Sequence, residues 1–226
     1  MKRAFTLATL ILFFSSIFIE LAIADDFVGP KTEGKILLED KKFDEAIVYF
    51  TNKIEKAPDD CDACFMRGKA HHGLKQYDKA LLDLDEAIKL NPDDGNYYAL
   101  HATCFFSKKL YDKAIIDVNK AIVINPEEER YYAIRANCHI EKEQPDKAIP
   151  DLNKAIELNP DESIYYAFRG SCYFNITEMD KGISDFEKAI ELDPNSEVSK
   201  EIKPQLRKIK RYKKWFPFLF KEKEDN

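Results

Sequence analysis

Glycine is scarce in this chain, with seven in 226 residues, and histidine and tryptophan number only four and one. No Gly-rich phosphate loop, H-E-x-x-H pair or serine-nucleophile motif is present. His71 and His72 are adjacent, and neighbouring helical residues point apart, so one metal ion does not readily use both. The sequence therefore offers no catalytic residue, no metal ligand set and no cofactor site. A basic excess is also missing. The formal charge is −6, which argues against nucleic acid as the main partner. With 45% apolar and 34% charged residues, the chain is nonetheless too apolar to stay unfolded.

One segment is built differently. Lys2 and Arg3 precede an uncharged apolar run from Ala4 to Ile19, and Ala22-Ile23-Ala24 follows. A positive start, a short apolar core and an A-x-A ending predict a secretory signal peptide over residues 1–24, cleaved after Ala24. The run is shorter than the ~20 residues that an anchor helix needs. A secreted or periplasmic location is the expectation.

Beyond that segment the chain repeats itself. Pro58, Pro92, Pro126, Pro160 and Pro194 are 34 residues apart, and Asp44, Asp78, Asp112, Asp146 and Asp180 keep the same spacing. So do Ile54, Ile88, Ile122, Ile156 and Ile190. Small residues recur at Ala46, Ala80, Ala114, Ala148 and Gly182, and again at Gly34, Gly68, Ala102, Ala136 and Gly170. Large apolar residues form the column Phe50, Leu84, Val118, Leu152 and Phe186. Each unit reads as two amphipathic helices, in the third unit Asn96 to about Lys108 and Asp112 to about Ile124. The Asp column is placed to cap the second helix. The proline series ends it, because proline bars helical geometry in the residue before it. Tyr98, Phe105, Val118 and Ile122 are expected to fill the space between units. The row Asp83, Asp117, Asp151 and Asp185 reads as solvated. No single hairpin can bury its apolar face alone, so the units must stack.

These columns resemble the tetratricopeptide repeat, a 34-residue unit with small residues at three packing points and a proline near its end. The third small point here is Ala87, Ala121, Ala155 and Ala189. The resemblance covers residues 27–194 as five repeats, at about 27–60, 61–94, 95–128, 129–162 and 163–194. The first is the most divergent, with Pro30 where later units have tyrosine, so its first helix is expected to begin near Lys31. The resemblance implies an all-α, right-handed superhelical solenoid of antiparallel hairpins, whose concave groove takes a protein or peptide partner. Carried onto this chain, that groove includes Lys35, Phe65, Lys69, His72, Thr103, Phe106, Asn137, Ile140, Ser171 and Phe174. The alternative for Phe106, Ile140 and Phe174 is packing between helices.

Two further features stand apart. Cys104, Cys138 and Cys172 share a column with Ala70 and read as small packing residues, but Cys61 and Cys64 form a C-x-x-C at a helix start. They are candidates for a disulfide and, remotely, for a thiol-disulfide function. Residues 195–226 break the register. They are expected to give a capping helix led by Ser196, with Pro204 ahead of a second basic piece from Gln205 to about Lys214. Trp215-Phe216-Pro217-Phe218-Leu219-Phe220 then follows, and residues 205–220 are a candidate peripheral membrane contact.

Overall fold

Alternating helix-forming stretches and short breaks give eleven α-helices among the described residues, 32–215 of a computed structural model. The predicted signal peptide, Pro30 and the run after Trp215 lie outside the described residues. Two compact units divide the chain, with described parts 32–127 and 128–215. The first contains α1 (Glu33–Glu39), α2 (Phe43–Lys56), α3 (Cys61–Gly73), α4 (Tyr77–Leu90), α5 (Gly95–Ser107) and α6 (Tyr111–Ile124). The second contains α7 (Glu129–Glu141), α8 (Pro145–Leu158), α9 (Ser163–Asn175), α10 (Met179–Leu192) and α11 (Glu197–Trp215). Within each unit, consecutive helices pair as antiparallel hairpins that stack on their neighbours. This is the all-helical, hairpin-stacking class that the sequence predicts. The shortened first helix is there as well, with seven residues.

Small residues set the spacing inside each hairpin. Ala46, Ala80, Ala114, Ala148, Ala87, Ala121, Ala155 and Ala189 are fully buried. A Cβ on Gly170 would lie 2.7 Å from the Phe186 ring, and one on Gly182 would lie 2.6 Å from Phe174. Leu84, Val118, Leu152 and Phe186 fill the interior beside them. Each such side chain contributes about 1.5–3 kcal/mol by leaving water. Tyr98, Tyr132 and Tyr166 are only half-buried. The first tyrosine of each pair, Tyr97, Tyr131 and Tyr165, takes the interior place.

The turns are of two kinds. Within a hairpin, the chain passes through Lys41, Lys75, Lys109, Glu143 or Thr177, all with φ between 56° and 68°. The next residue donates back five positions, as Gln76 N–H does to the His71 carbonyl at 2.9 Å, which is the Schellman closure of the first helix. The second helix therefore starts one residue before each Asp of the repeat. Asp44, Asp78, Asp112, Asp146 and Asp180 sit in its first turn, and none of the preceding N-cap residues makes a side-chain capping bond. The expected Asp caps are thus replaced by carboxylates that face the helix dipole from inside. Between hairpins, Asn91, Asn125, Asn159 and Asp193 are held at φ −136° to −139° by the following proline.

The cap also differs from its expectation. Ser196 does cap it, accepting from Ser199 N–H at 3.1 Å. Pro204 does not divide it, however, and α11 runs unbroken for 19 residues. Proline sits on the exposed side there, where losing one backbone donor leaves the opposite carbonyl to water. Val198, Ile202 and Leu206 are buried, so α11 closes the open apolar side of α9 and α10.

Candidate functional site

The ten predicted groove residues are shared between the two units. In the first, Phe65 is buried with its ring 4.9 Å from Tyr97 across the next hairpin, and Lys35 and Lys69 are half-buried. His72 is buried beside Tyr77, with ring centroids 5.3 Å apart, and Phe106 stands in the same relation to Tyr111. Thr103 is buried and donates to the Leu100 carbonyl of its own helix at 2.7 Å. In the second unit Asn137, Ile140, Ser171 and Phe174 are buried. Ser171 donates to the Ala167 carbonyl at 2.9 Å, and the Phe174 ring lies 4.9 Å from Phe186. Phe106 and Phe174 thus make ring contacts inside their own hairpins, the packing alternative of the sequence reading, whereas Phe65 packs on the neighbouring hairpin.

Two polar atoms on these rows are buried without a hydrogen-bond partner, the His72 Nε2 and the Asn137 Oδ1. The Thr103 and Ser171 hydroxyls donate to a helix carbonyl, but the Asn137 Oδ1 is an acceptor, for which a helix carbonyl supplies no hydrogen. Burial, with help from the Lys69 charge, lowers the His72 pKa to about 4. The imidazole is therefore neutral at physiological pH and presents either a donor or an acceptor.

Cys61 and Cys64 are both free thiols, Cys61 half-buried and Cys64 buried. Burial raises the Cys64 pKa, with the Asp83 charge adding to it, which opposes thiolate chemistry. Asp62 between them accepts from the Tyr97 hydroxyl at 2.9 Å. Burial also pushes Cys138 and Cys172 up to about 12 and raises Cys104, as expected of packing residues.

The sequence reading of one acidic row is overturned. Asp83, Asp117, Asp151 and Asp185 are 6–7% exposed and paired, not solvated. Arg67 forks onto Asp83 through Nε and Nη2 at 3.0 and 2.6 Å. Arg135 does so onto Asp151 at 2.9 and 2.6 Å, and Arg169 onto Asp185 at 2.8 and 2.8 Å. These bonds raise each guanidinium pKa above its ordinary value. The third nitrogen reaches back to the preceding hairpin, from Arg67 Nη1 to Thr51 at 3.2 Å and from Arg169 Nη1 to Asn153 at 2.8 Å. In the third repeat His101 takes this place. Its Nδ1 is 2.8 Å from Asp117, and its Nε2 is 3.4 Å from Asp85 of the hairpin before. The signal was present in the sequence as a constant 16-residue offset between Arg67, His101, Arg135 or Arg169 and its Asp.

Among the described residues no group of three His, Cys, Asp or Glu side chains is placed to hold a metal ion, and no helix is long and apolar enough to cross a membrane. Family models described as tetratricopeptide repeat match residues 37–104, 130–162 and 164–196. No curated protein matches the sequence significantly. Several solved structures share the fold. MamA from Desulfovibrio magneticus RS-1 is similar at 19% identity and TM-score 0.65, covering 81% of this chain and 97% of its own. TTC0263 from Thermus thermophilus matches at 15% identity and TM-score 0.63, over 87% and 99%. YrrB, described as a TPR protein with an unusual peptide-binding site, matches at 16% identity and TM-score 0.61, over 90% and 100%. With matched repeats and stacked hairpins in agreement, the chain belongs to the tetratricopeptide repeat family.

Proposed function

We propose that this protein is an exported, non-catalytic scaffold that holds an extended or helical segment of a partner protein along the first helices of its hairpins. The observation that carries this reading is the buried, unpartnered Asn137 Oδ1 on the groove row. A buried acceptor left without a donor costs about 1–3 kcal/mol, a cost that a partner's N–H would remove. His72 Nε2 stands in the same condition in the other unit. The peptide-binding site named for YrrB, a protein of like fold, agrees with this use of the framework. Export rests on residues 1–24.

The test places a photo-crosslinking residue at Lys69, at Ser171 and, as a control, at Leu82, which is 70% exposed away from the row. In the exported fraction, the first two positions are expected to give adducts with one common partner, and Leu82 none. Adducts of equal yield from Leu82, or none from Lys69 and Ser171, overturn groove capture. N-terminal sequencing of the mature chain is expected to begin at Asp25. An intracellular protein retaining residues 1–24 overturns export.

A further inference from the structure

Charge in this chain is segregated. Residues 202–220 carry Lys203, Arg207, Lys208, Lys210, Arg211, Lys213 and Lys214 and no acidic residue, so the rest of the chain, against a total of −6, carries −13. The C-terminal helix α11 sorts those cations by direction. Its inward side is fixed to the second unit by Val198, Ile202 and Leu206 and by two backbone contacts. Ser199 donates to the Asp193 carbonyl at 2.5 Å, and Lys203 to the Pro194 carbonyl at 2.6 Å. Lys210 pairs with Glu187 and Lys213 with Asp180, so these two cations dock the helix on α10.

The other cations face away. At 100° per residue, Arg207, Arg211 and Lys214 fall within about 60° of arc, opposite the buried stripe, with Lys208 and Trp215 at its edge. All five are exposed, Trp215 by 63%, and among the described residues none of the four cations has an ion-pair partner. A cap needs a polar outer side, but it does not need that side to be of one sign. Nor does it need a large exposed indole at its end. The sequence then continues with Phe216, Pro217, Phe218, Leu219 and Phe220, without a polar residue.

We propose that the outer face of α11, from Arg207 to Trp215, is a docking surface for an anionic lipid bilayer. The cations supply attraction to headgroup phosphates and carboxylates, and the exposed Trp215 supplies insertion at the interface. Stable peripheral binding takes two such signals, because either alone is marginal. Six apolar residues are too few to span, so the contact is peripheral. A nucleic acid fits less well. It would run past a helix end only three turns long onto a body of charge −13, and it offers the indole no apolar medium. The acidic body of a second copy would meet the cations but not the indole.

The experiment is co-sedimentation of the full chain with vesicles of phosphatidylcholine alone or with about one-third phosphatidylserine. The readout is the ratio of the two partition coefficients, so any binding by the apolar run at Ala4–Ile19, common to both, cancels. The expected ratio is large at physiological salt and falls in high salt. Combining Arg207→Gln, Arg211→Gln and Lys214→Gln is expected to lower it by about fivefold per cation, or about a hundredfold in all. Trp215→Ser is expected to weaken binding to both vesicles. These side chains are exposed, so helix content by circular dichroism should stay at the wild-type value. Equal partition into both vesicles, or a ratio unchanged in the triple variant, overturns the proposal. So does a triple variant that loses binding to single-stranded RNA, or self-association by ultracentrifugation, with no vesicle preference to lose.

Discussion

Asp185→Ala distinguishes a solvated carboxylate from a structural one. Asp185 accepts two parallel bonds from Arg169 at 2.8 Å each, and the two side chains are 8% and 19% exposed. Removing the carboxylate strands a guanidinium that keeps Asn153 and lies near the rings of Tyr166 and Tyr173, 5.5 and 5.9 Å from its centre. Breaking one side of a buried pair costs about 3–5 kcal/mol, and partial wetting of Arg169 puts this case near 3. For a chain of this size that lowers the midpoint by about 6–12 °C. Thermal and urea unfolding, followed by circular dichroism, measure the global loss. Hydrogen exchange in α9 and α10 shows whether it is local, since repeat arrays can unfold in parts. Replacing both partners, as Arg169→Met with Asp185→Leu, is expected to fall within about 1 kcal/mol of the wild type, because no charge is stranded. Glu191→Ala, which breaks an exposed pair with Lys188, is the control at about 0.5 kcal/mol or less. An Asp185→Ala protein within about 1 kcal/mol of the wild type would refute the argument.

Three further outcomes are expected. Thr177 is β-branched and held at φ 68°, so Thr177→Gly should raise stability by about 0.5–1 kcal/mol in urea unfolding, and a loss would contradict the assigned turn. His72 is buried neutral with its pKa lowered to about 4, so the unfolded chain binds the extra proton first as pH falls. Its contribution is complete above about pH 6.5 and declines toward pH 4, by about 3 kcal/mol at most. His72→Gln should flatten that part of the stability profile, and an unchanged slope would exclude the effect. A thiol reagent applied to the native protein should modify Cys61 first and leave Cys104, Cys138 and Cys172 untouched until unfolding. Equal rates at all five would show that the core is open.

The hairpin register was legible because stacking forces the same side-chain volume at the same place every 34 residues. Ala80 and Leu84 announce themselves by recurring at 34-residue intervals. The Asp83 row was misread for a physical reason. An aspartate among Lys, Asn and Asp on an amphipathic helix looks like a water-facing residue, and its partner, 16 positions earlier, sits on a different helix. The turns were hidden because Lys41, Lys75, Lys109, Glu143 and Thr177 hold a conformation usually marked by glycine or asparagine. Of the groove, the rows could be named from the resemblance, but not which side chains stay in reach. Phe106 and Phe174 are drawn into their own hairpins by Tyr111 and Phe186.

Because the Arg67 and Arg169 forks close on their own hairpins and each extends a single finger to the one before, such a hairpin carries most of its fastening with it. Thr51 and Asn153 serve equally as the receiving group, so the joint asks little of its neighbour beyond an oxygen. Such a joint suits growth by tandem copying, in which a duplicated 34-residue block finds a usable seat wherever it lands. His101 is the exception. Its receiving group is a carboxylate, and a copy of that block moved behind Thr51 or Asn153 would lose the acidic half of its clasp.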